Sequence, residues 1–156
     1  MNSTSYRDLS LPAPPPATNP ETLEFWQATK QGRLLLSRCP ACGLHIWYPR
    51  AICPDCHSHP TEWVQAAGTG TIYSFTIIRS RAPGPYAGIG PYIVAYVELT
   101  EGPRMLTNIV GCDLEEVRVG EAVDVVFDDA GQSGSLPRFK LSAPKDKAQP
   151  RVAPGR

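Results

Sequence analysis

Four of the five cysteines in this chain of 156 residues stand in one regular frame. Cys39 and Cys42 form a Cys-x2-Cys pair, and after ten intervening residues Cys53 and Cys56 form a second pair. A pair with this spacing presents two thiolates from one tight turn to a single ion, and two pairs complete a tetrahedron. The frame therefore predicts a metal site, and Zn²⁺ is the expected ion because it accepts four thiolates without redox chemistry.

Three alternatives to this zinc site stay open at the level of the sequence. An iron centre of the rubredoxin type uses the same cysteine spacing. Two disulfides would require an oxidising compartment, but residues 1–20 lack the basic start and apolar stretch of a secretory signal, so we expect a cytoplasmic protein with reduced thiols. His57 adjoins Cys56 and could replace it as a ligand, although we expect His57 and His59 in a solvated loop.

Composition separates a folded centre from two chain ends. Residues 1–18 form a proline-rich arm, and residues 143–156 form a polar tail with three further prolines. Segments of this composition bury too little apolar surface to offset the entropy of ordering, so we expect both to be disordered. The folded part then extends over residues 19–142.

A short helix is predicted over residues 19–32. Asn19 suits the N-cap, Pro20 suits the first helical position, and Gly32 suits the residue that ends the helix. Leu23 and Trp26 share one face of this helix, and Phe25 widens that apolar face. The face requires a surface to pack against, either the core of the chain itself or a partner subunit.

Residues 33–60 are predicted to form a zinc ribbon around the four cysteines. Leu34–Leu36 indicates a short strand before the first cysteine pair, and His45–Tyr48 indicates a hairpin strand between the pairs. A unit of this size cannot bury a core by itself, so its folding should depend on the metal.

Residues 61–142 show the period-two pattern of β-strands and predict a five-stranded barrel of the OB type. Gly68 and Gly70 should permit a bulge or bend at its start. Pro137 lacks an amide proton, so its strand should lie at an edge. The loop 80–91, rich in Gly and Pro, is long enough to be functional. The predicted strands are 71–78, 92–99, 104–110, 121–128 and 136–141.

The balanced charge makes nucleic-acid binding a less expected function, and the hydropathy predicts no membrane-spanning segment. The chain has 15 basic and 15 acidic residues, whereas a nucleic-acid-binding protein ordinarily carries a basic excess. A single-stranded nucleic-acid-binding module, for which OB folds are also used, is therefore the alternative and not the preferred reading. No apolar run is long enough to span a bilayer.

The combination of helix, ribbon and barrel resembles the DUF35 family of zinc-ribbon and OB-fold proteins. The resemblance covers roughly residues 20–142, and its ordered motifs are more specific than the cysteine frame alone. They are Phe25-Trp26, Gly32-Arg33-Leu34, Cys39-Pro-Ala-Cys42-Gly43, Pro49-Arg50, Cys53-Pro-Asp-Cys56, Gly68-Thr-Gly70-Thr-Ile-Tyr-Ser-Phe75-Thr76, Pro91-Tyr92-Ile-Val-Ala and Gly102-Pro103-Arg104-Met-Leu-Thr107-Asn108.

This resemblance implies a non-catalytic accessory subunit of a thiolase-type acyl-CoA enzyme, either a thiolase or acyltransferase or a thiolase-like aldolase. The partner would carry the catalytic residues, and the small subunit would stabilise the complex and help to bind or channel the CoA ester. The zinc would then be structural, and an α2β2 heterotetramer is the natural assembly. The helix and ribbon would dock the partner through Leu23, Phe25, Trp26 and Trp47.

Arginines and tyrosines provide candidate contacts for a CoA ester. Arg79 and Arg81 flank the start of the long loop, and Arg104 opens a barrel strand. Guanidinium groups match phosphates in a two-pronged geometry, and Tyr86 or Tyr92 could stack on adenine. The alternative is that these arginines are solvated or contact a protein partner.

The sequence shows no recognisable set of catalytic residues. Cys112 is the one cysteine outside the metal frame, and a nucleophilic thiol would require a nearby base or cation. Because Cys112 follows an apolar strand, we expect a small buried hydrophobic residue. A free-standing CoA-ester enzyme with Cys112 as nucleophile is the remaining alternative.

Overall fold

The computed structural model of this protein describes residues 6–79 and 83–143. Over these residues the chain forms one α-helix, α1 (Leu23–Thr29), and eight strands in two sheets. The strands are β1 (Leu35–Arg38), β2 (His45–Ile46), β3 (Glu62–Gln65), β4 (Thr69–Ile78), β5 (Tyr92–Leu99), β6 (Arg104–Ile109), β7 (Ala122–Asp129) and β8 (Ser135–Leu141). The mainly β architecture predicted from the sequence is confirmed.

The ribbon is a three-stranded antiparallel sheet with β1 in the centre. Ser37 pairs with Ile46 of β2 on one side and with Trp63 of β3 on the other. The predicted ribbon ended at residue 60, whereas its third strand in fact extends over Glu62–Gln65. Period-two alternation correctly indicated a strand near Trp63, but alternation does not say which sheet a strand joins.

The five remaining strands close into a barrel in the order β4-β5-β6-β8-β7. All neighbours are antiparallel except β6 and β8, which pair in parallel at Ile109 and Phe139, and β4 closes the barrel against β7. Ile93, Val97 and Phe139 point inward and are fully buried. Closure leaves no free sheet edge, which confirms the predicted OB-type barrel.

The last strand is not at an edge, which corrects the prediction made from Pro137. β8 lies between β6 and β7, and it pairs with β7 along its whole length. Its contact with β6 includes the single Cα pair Ile109–Phe139, and the Thr107 hydroxyl donates to the Pro137 carbonyl at 3.0 Å. Sparse pairing on this side tolerates a residue without an amide proton.

Two glycines at the start of β4 permit close packing and not a bulge. The register of β4 shifts between Ile72 and Ser74, so the irregularity lies at Tyr73. Gly70 pairs with both Leu99 and Val123, where β4 is held between β5 and β7. A Cβ atom on Gly70 would lie 2.4 Å from the Glu98 carbonyl oxygen, so the absence of a side chain is required for closure.

The sequence predicted Pro20 as the first residue of the helix, whereas α1 begins at Leu23. Asn19 nevertheless makes the two hydrogen bonds of the predicted N-cap: its side-chain oxygen accepts from the Thr22 amide at 2.9 Å, and its carbonyl accepts from the Leu23 amide at 2.9 Å. Gly32, with φ of +70°, follows the helix as expected. The Thr29 hydroxyl accepts from the Ser135 amide at 3.0 Å, which fixes the helix to the barrel.

Residues 6–12 of the N-terminal arm pack against the barrel, in contrast to the disorder expected from the composition of the arm. Tyr6 and Leu11 are buried in the main core. Composition describes only the average character of a segment. Two apolar side chains, Tyr6 and Leu11, are enough to attach this one to the core. The tail predicted over residues 143–156 lies outside the described residues apart from Ala143. No helix in the described segments is long and apolar enough to cross a membrane.

Candidate metal centre and neighbouring surfaces

Two turns of the same geometry carry the four cysteines. In the first, the Gly43 amide donates to the Cys39 carbonyl at 2.8 Å; in the second, the His57 amide donates to the Cys53 carbonyl at 3.1 Å. Both residues that close the turns have positive φ, +79° for Gly43 and +59° for His57. The turns therefore present their cysteines as two equivalent knuckles.

The four sulfur atoms form a compact group, all within 4.8 Å of one another. Sγ of Cys39 is 3.5 Å from Sγ of Cys56, and Sγ of Cys42 is 3.7 Å from Sγ of Cys53. A tetrahedron with Zn–S bonds of about 2.3 Å has S···S edges of about 3.8 Å, so the donor set fits Zn²⁺. All four thiols are free, which argues against the disulfide alternative.

His57 does not belong to this metal-binding group. Its backbone adopts a conformation in which a Cβ atom costs roughly 1–2 kcal/mol, and which glycine adopts readily. Sequence spacing alone could not separate this role from that of a ligand.

We expect His57→Gly to stabilise the metal-bound ribbon by about 0.5–1 kcal/mol, because glycine relieves the strain. Gly43→Ala, the matched change in the other knuckle, should destabilise it by about 1 kcal/mol. Thermal unfolding and competition with a zinc chelator would measure both. A large loss of metal affinity in His57→Gly would contradict the structural role and identify His57 as a ligand.

Of the arginines predicted to contact a CoA ester, the two that the structure describes, Arg79 and Arg104, do not converge. Arg104 donates to Glu98 at 2.8 Å, and its guanidinium carbon lies 3.4 Å from the centre of the Tyr73 ring. The hydrogen bond to Glu98 raises the pKa of Arg104 above its ordinary value. Arg79 follows the opposite end of β4, about 25 Å away along the strands. Arg81 lies outside the described residues.

Tyr86 contacts a charged residue that sequence reasoning missed. Its hydroxyl lies 3.4 Å from Nη2 of Arg138, and its ring packs against that of Tyr92 in a tilted arrangement, with 5.0 Å between centroids. Arg138 is only 2 % exposed and pairs with Asp128. Nothing in its local sequence distinguishes Arg138 from an ordinary surface arginine, because several of its contacts, the carbonyls of Leu11 and Pro12 among them, come from distant parts of the chain.

An apolar pocket of about 240 Å³ lies between the helix, the ribbon and the barrel. Aromatic residues from the helix and from the ribbon meet here: the Phe25 ring packs on Trp26 at 4.9 Å and on Trp47 at 5.1 Å. The lining includes Phe25, Trp26, Trp47, Tyr48, Met105, Leu106 and Arg138.

The four predicted docking residues differ in accessibility. Phe25 is 1 % exposed and belongs to the core of this chain, which corrects its placement on a docking surface. Leu23 is 47 % exposed, and Trp26 and Trp47 are half-buried. Reasoning from the sequence missed Tyr48, at 57 % exposed, and Leu106, at 48 %. Exposed apolar residues beside a pocket indicate an interaction surface.

Cys112 is buried, as expected for a small hydrophobic residue. Desolvation raises the pKa of its thiol to about 11. A thiol with this pKa forms almost no thiolate near neutral pH, so Cys112 has neither the ionisation nor the access that a nucleophile requires.

A four-cysteine ribbon joined to a closed OB-type barrel defines the class of this protein. Two family models match successive parts of the chain: the rubredoxin-like zinc ribbon domain of ChsH2 over residues 26–62 and the C-terminal OB-fold domain of ChsH2 over residues 63–128. The chain belongs to the DUF35 family.

Individual relatives agree with this assignment. A DUF35 domain-containing scaffold protein of Methanothermobacter thermautotrophicus is 35% identical over 117 residues, which are 73% of this chain and 86% of that protein. A probable enoyl-CoA hydratase alpha subunit of Thermomonospora curvata is 38% identical over 135 residues, 86% of this chain. The match spans only 42% of the hydratase subunit's length.

The fold also matches a solved structure, the Ltp2-ChsH2(DUF35) aldolase. The two chains superpose with a TM-score of 0.71 at 38% sequence identity, over 81% of this chain and 98% of the other.

Proposed function

We propose that this chain is a non-catalytic accessory subunit of a thiolase-type acyl-CoA enzyme, either a thiolase or acyltransferase or a thiolase-like aldolase. The partner subunit supplies the catalytic residues, and this chain stabilises the complex. Membership of the DUF35 family and the likeness to a chain of an aldolase support this role. The burial of Cys112 agrees with it, because this thiol cannot serve as a nucleophile.

The observation that carries the proposal is a band of exposed apolar residues along the pocket. Tyr48 and Leu106 line the pocket, and Leu106 pairs directly with Tyr96 across β5 and β6. We call Tyr48, Leu106 and Tyr96 the docking band. Each is about half exposed, which is unfavourable in water unless a partner covers it. The partner subunit is the proposed occupant, and an α2β2 assembly is the proposed stoichiometry.

The CoA ester is proposed to bind to the complex and not to this chain alone. Arg79 is exposed beside the long loop, and we propose that Arg79 and Arg81 face the coenzyme phosphates at the interface. Arg104 is a weaker candidate, because Glu98 already neutralises its charge. Structural Zn²⁺ in the ribbon holds the surface beside the pocket in shape.

Substitution in the docking band tests this function. With a thiolase-like partner co-expressed from a neighbouring gene, we expect Leu106→Asp to weaken association at least tenfold, because a carboxylate would be desolvated at the interface. Val119→Asp is the matched control, since Val119 is also exposed but lies outside the band. Co-purification and titration measure both. Equal affinities for the two variants, or no association of the wild-type chain, would contradict the proposal.

The nucleic-acid alternative finds less support on this surface. Tyr73 and Tyr96 are exposed on the barrel, as stacking residues would be. However, Arg104 covers the Tyr73 ring, and Glu98 neutralises the arginine. Salt-dependent binding of a single-stranded oligonucleotide would reverse this preference.

A further inference from the structure

Tyr6 attaches the N-terminal arm to the barrel at the end of the β5–β6 ladder. The Tyr6 hydroxyl donates to the Ile109 carbonyl and accepts from the Ile93 amide at 3.2 Å. Ile93 and Ile109 are partners at the end of the β5–β6 ladder, so Tyr6 joins the two strands where their own pairing stops. Burial raises the pKa of Tyr6 to about 12, so the hydroxyl stays protonated and able to donate near neutral pH.

Further along the arm, two backbone carbonyls satisfy a buried cation. Nη1 of Arg138 donates to the Leu11 carbonyl at 3.2 Å, and Nη2 donates to the Pro12 carbonyl. Asp128 balances the charge of Arg138, but a guanidinium has more donors than one carboxylate can accept. A buried donor without a partner is unfavourable, so the arm and Arg138 stabilise each other's positions.

Arg138 also contacts the parts of the barrel that face the pocket. Nη2 lies 3.4 Å from the Tyr86 hydroxyl, which lies 3.5 Å from Oδ1 of Asn108. Tyr86 belongs to the long loop, and both Asn108 and Arg138 line the pocket beside Leu106. One side chain thus joins the arm, β7, the loop and the pocket.

We propose that residues 6–12 act as a strap that locks loop residues 83–91 and the apolar pocket through Arg138. When the strap is seated, its carbonyls hold the guanidinium, and the guanidinium holds Tyr86. When the strap is released, the donors of Arg138 turn to water, and the loop and the pocket wall lose a common support. The functional consequence rests on the proposed docking function: a seated strap prepares the pocket for the partner.

Amide hydrogen exchange on the isolated chain tests this lock without any partner. Removal of residues 1–12 should accelerate exchange in residues 83–91 and 106–108 about tenfold. Tyr6→Phe keeps the ring but removes the hydroxyl, so it should accelerate exchange there by a smaller factor. Ser10→Ala, in the exposed part of the strap, is the matched control and should leave exchange unchanged.

Arg138→Met distinguishes a lock from general loosening. If the coupling passes through Arg138, removal of the strap should have little further effect on loop exchange in the Arg138→Met background. Equal acceleration by truncation in both backgrounds would overturn the proposal. Should the truncated chain fail to fold, Tyr6→Phe decides: unchanged exchange in residues 83–91 would equally overturn it. Because no partner is present, neither outcome depends on whether the docking function is correct.

Discussion

Removal of the metal should unfold the ribbon while the barrel stays folded. β1, β2 and β3 form a sheet too small to persist alone, and structural Zn²⁺ contributes on the order of 10–16 kcal/mol to comparable small units. We therefore expect one Zn²⁺ per chain by metal analysis, and loss of ribbon structure under strong chelation. Trp47 reports this loss by fluorescence, because its ring packs on Phe25 at 5.1 Å and unfolding would expose it.

Substitutions can separate the metal ligands from the remaining thiol. Cys39→Ser with Cys53→Ser removes the two buried ligands and should abolish metal binding together with association to the partner, because Tyr48 would no longer be held at the pocket. Cys112→Ala is the matched control, and it should keep full metal content. A folded ribbon in soluble, metal-free protein would contradict the structural role, and iron in place of zinc would correct the identity of the ion.

Gly70→Ala should destabilise the barrel by about 3 kcal/mol or more. The added Cβ would lie 2.4 Å from the Glu98 carbonyl oxygen and 2.8 Å from Cγ1 of Val97. The first of these atoms belongs to the backbone of β5, so relief would require separating strands where the barrel closes. Urea unfolding followed by circular dichroism measures the effect.

The control for this substitution is Gly90→Ala. A Cβ on Gly90 meets no atom within 4 Å, and the residue does not require positive φ. The same chemical change should therefore leave stability nearly unaltered or raise it slightly, since alanine restricts the unfolded chain. Similar destabilisation by both substitutions would show that the close approach at Gly70 is not the cause.

Local patterns in the sequence predicted the features that depend on neighbouring residues. The cysteine frame predicted the metal site, because each knuckle lies within a few residues and its turn geometry follows from spacing. Alternation over six to ten residues placed the barrel strands to within one or two positions. Both signals arise from chemistry along a short stretch of backbone, so one sequence was sufficient to interpret them.

Placement of side chains was less predictable where the contacts are distant. Pro137 suggested an edge strand, yet β8 lies inside the barrel because its contact with β6 is sparse. Phe25 suggested a docking residue, yet the chain's own core buries it. Pro137 does lack an amide proton and Phe25 is apolar, as the predictions assumed. The groups that surround each residue in the folded chain could not be known from the sequence.

The sequence alone determined the metal site, the barrel strands and the end of the helix. The cysteine spacing, the alternation and Gly32 that specify them each act within a single turn or strand. Only the tertiary structure decided that the arm is seated and that Arg138 is buried. Leu11 and Arg138 are 127 residues apart in the chain, and their hydrogen bond exists only once the barrel has closed beneath the arm. The burial of a charge depends on groups brought together from distant segments, and no local sequence pattern predicts such contacts.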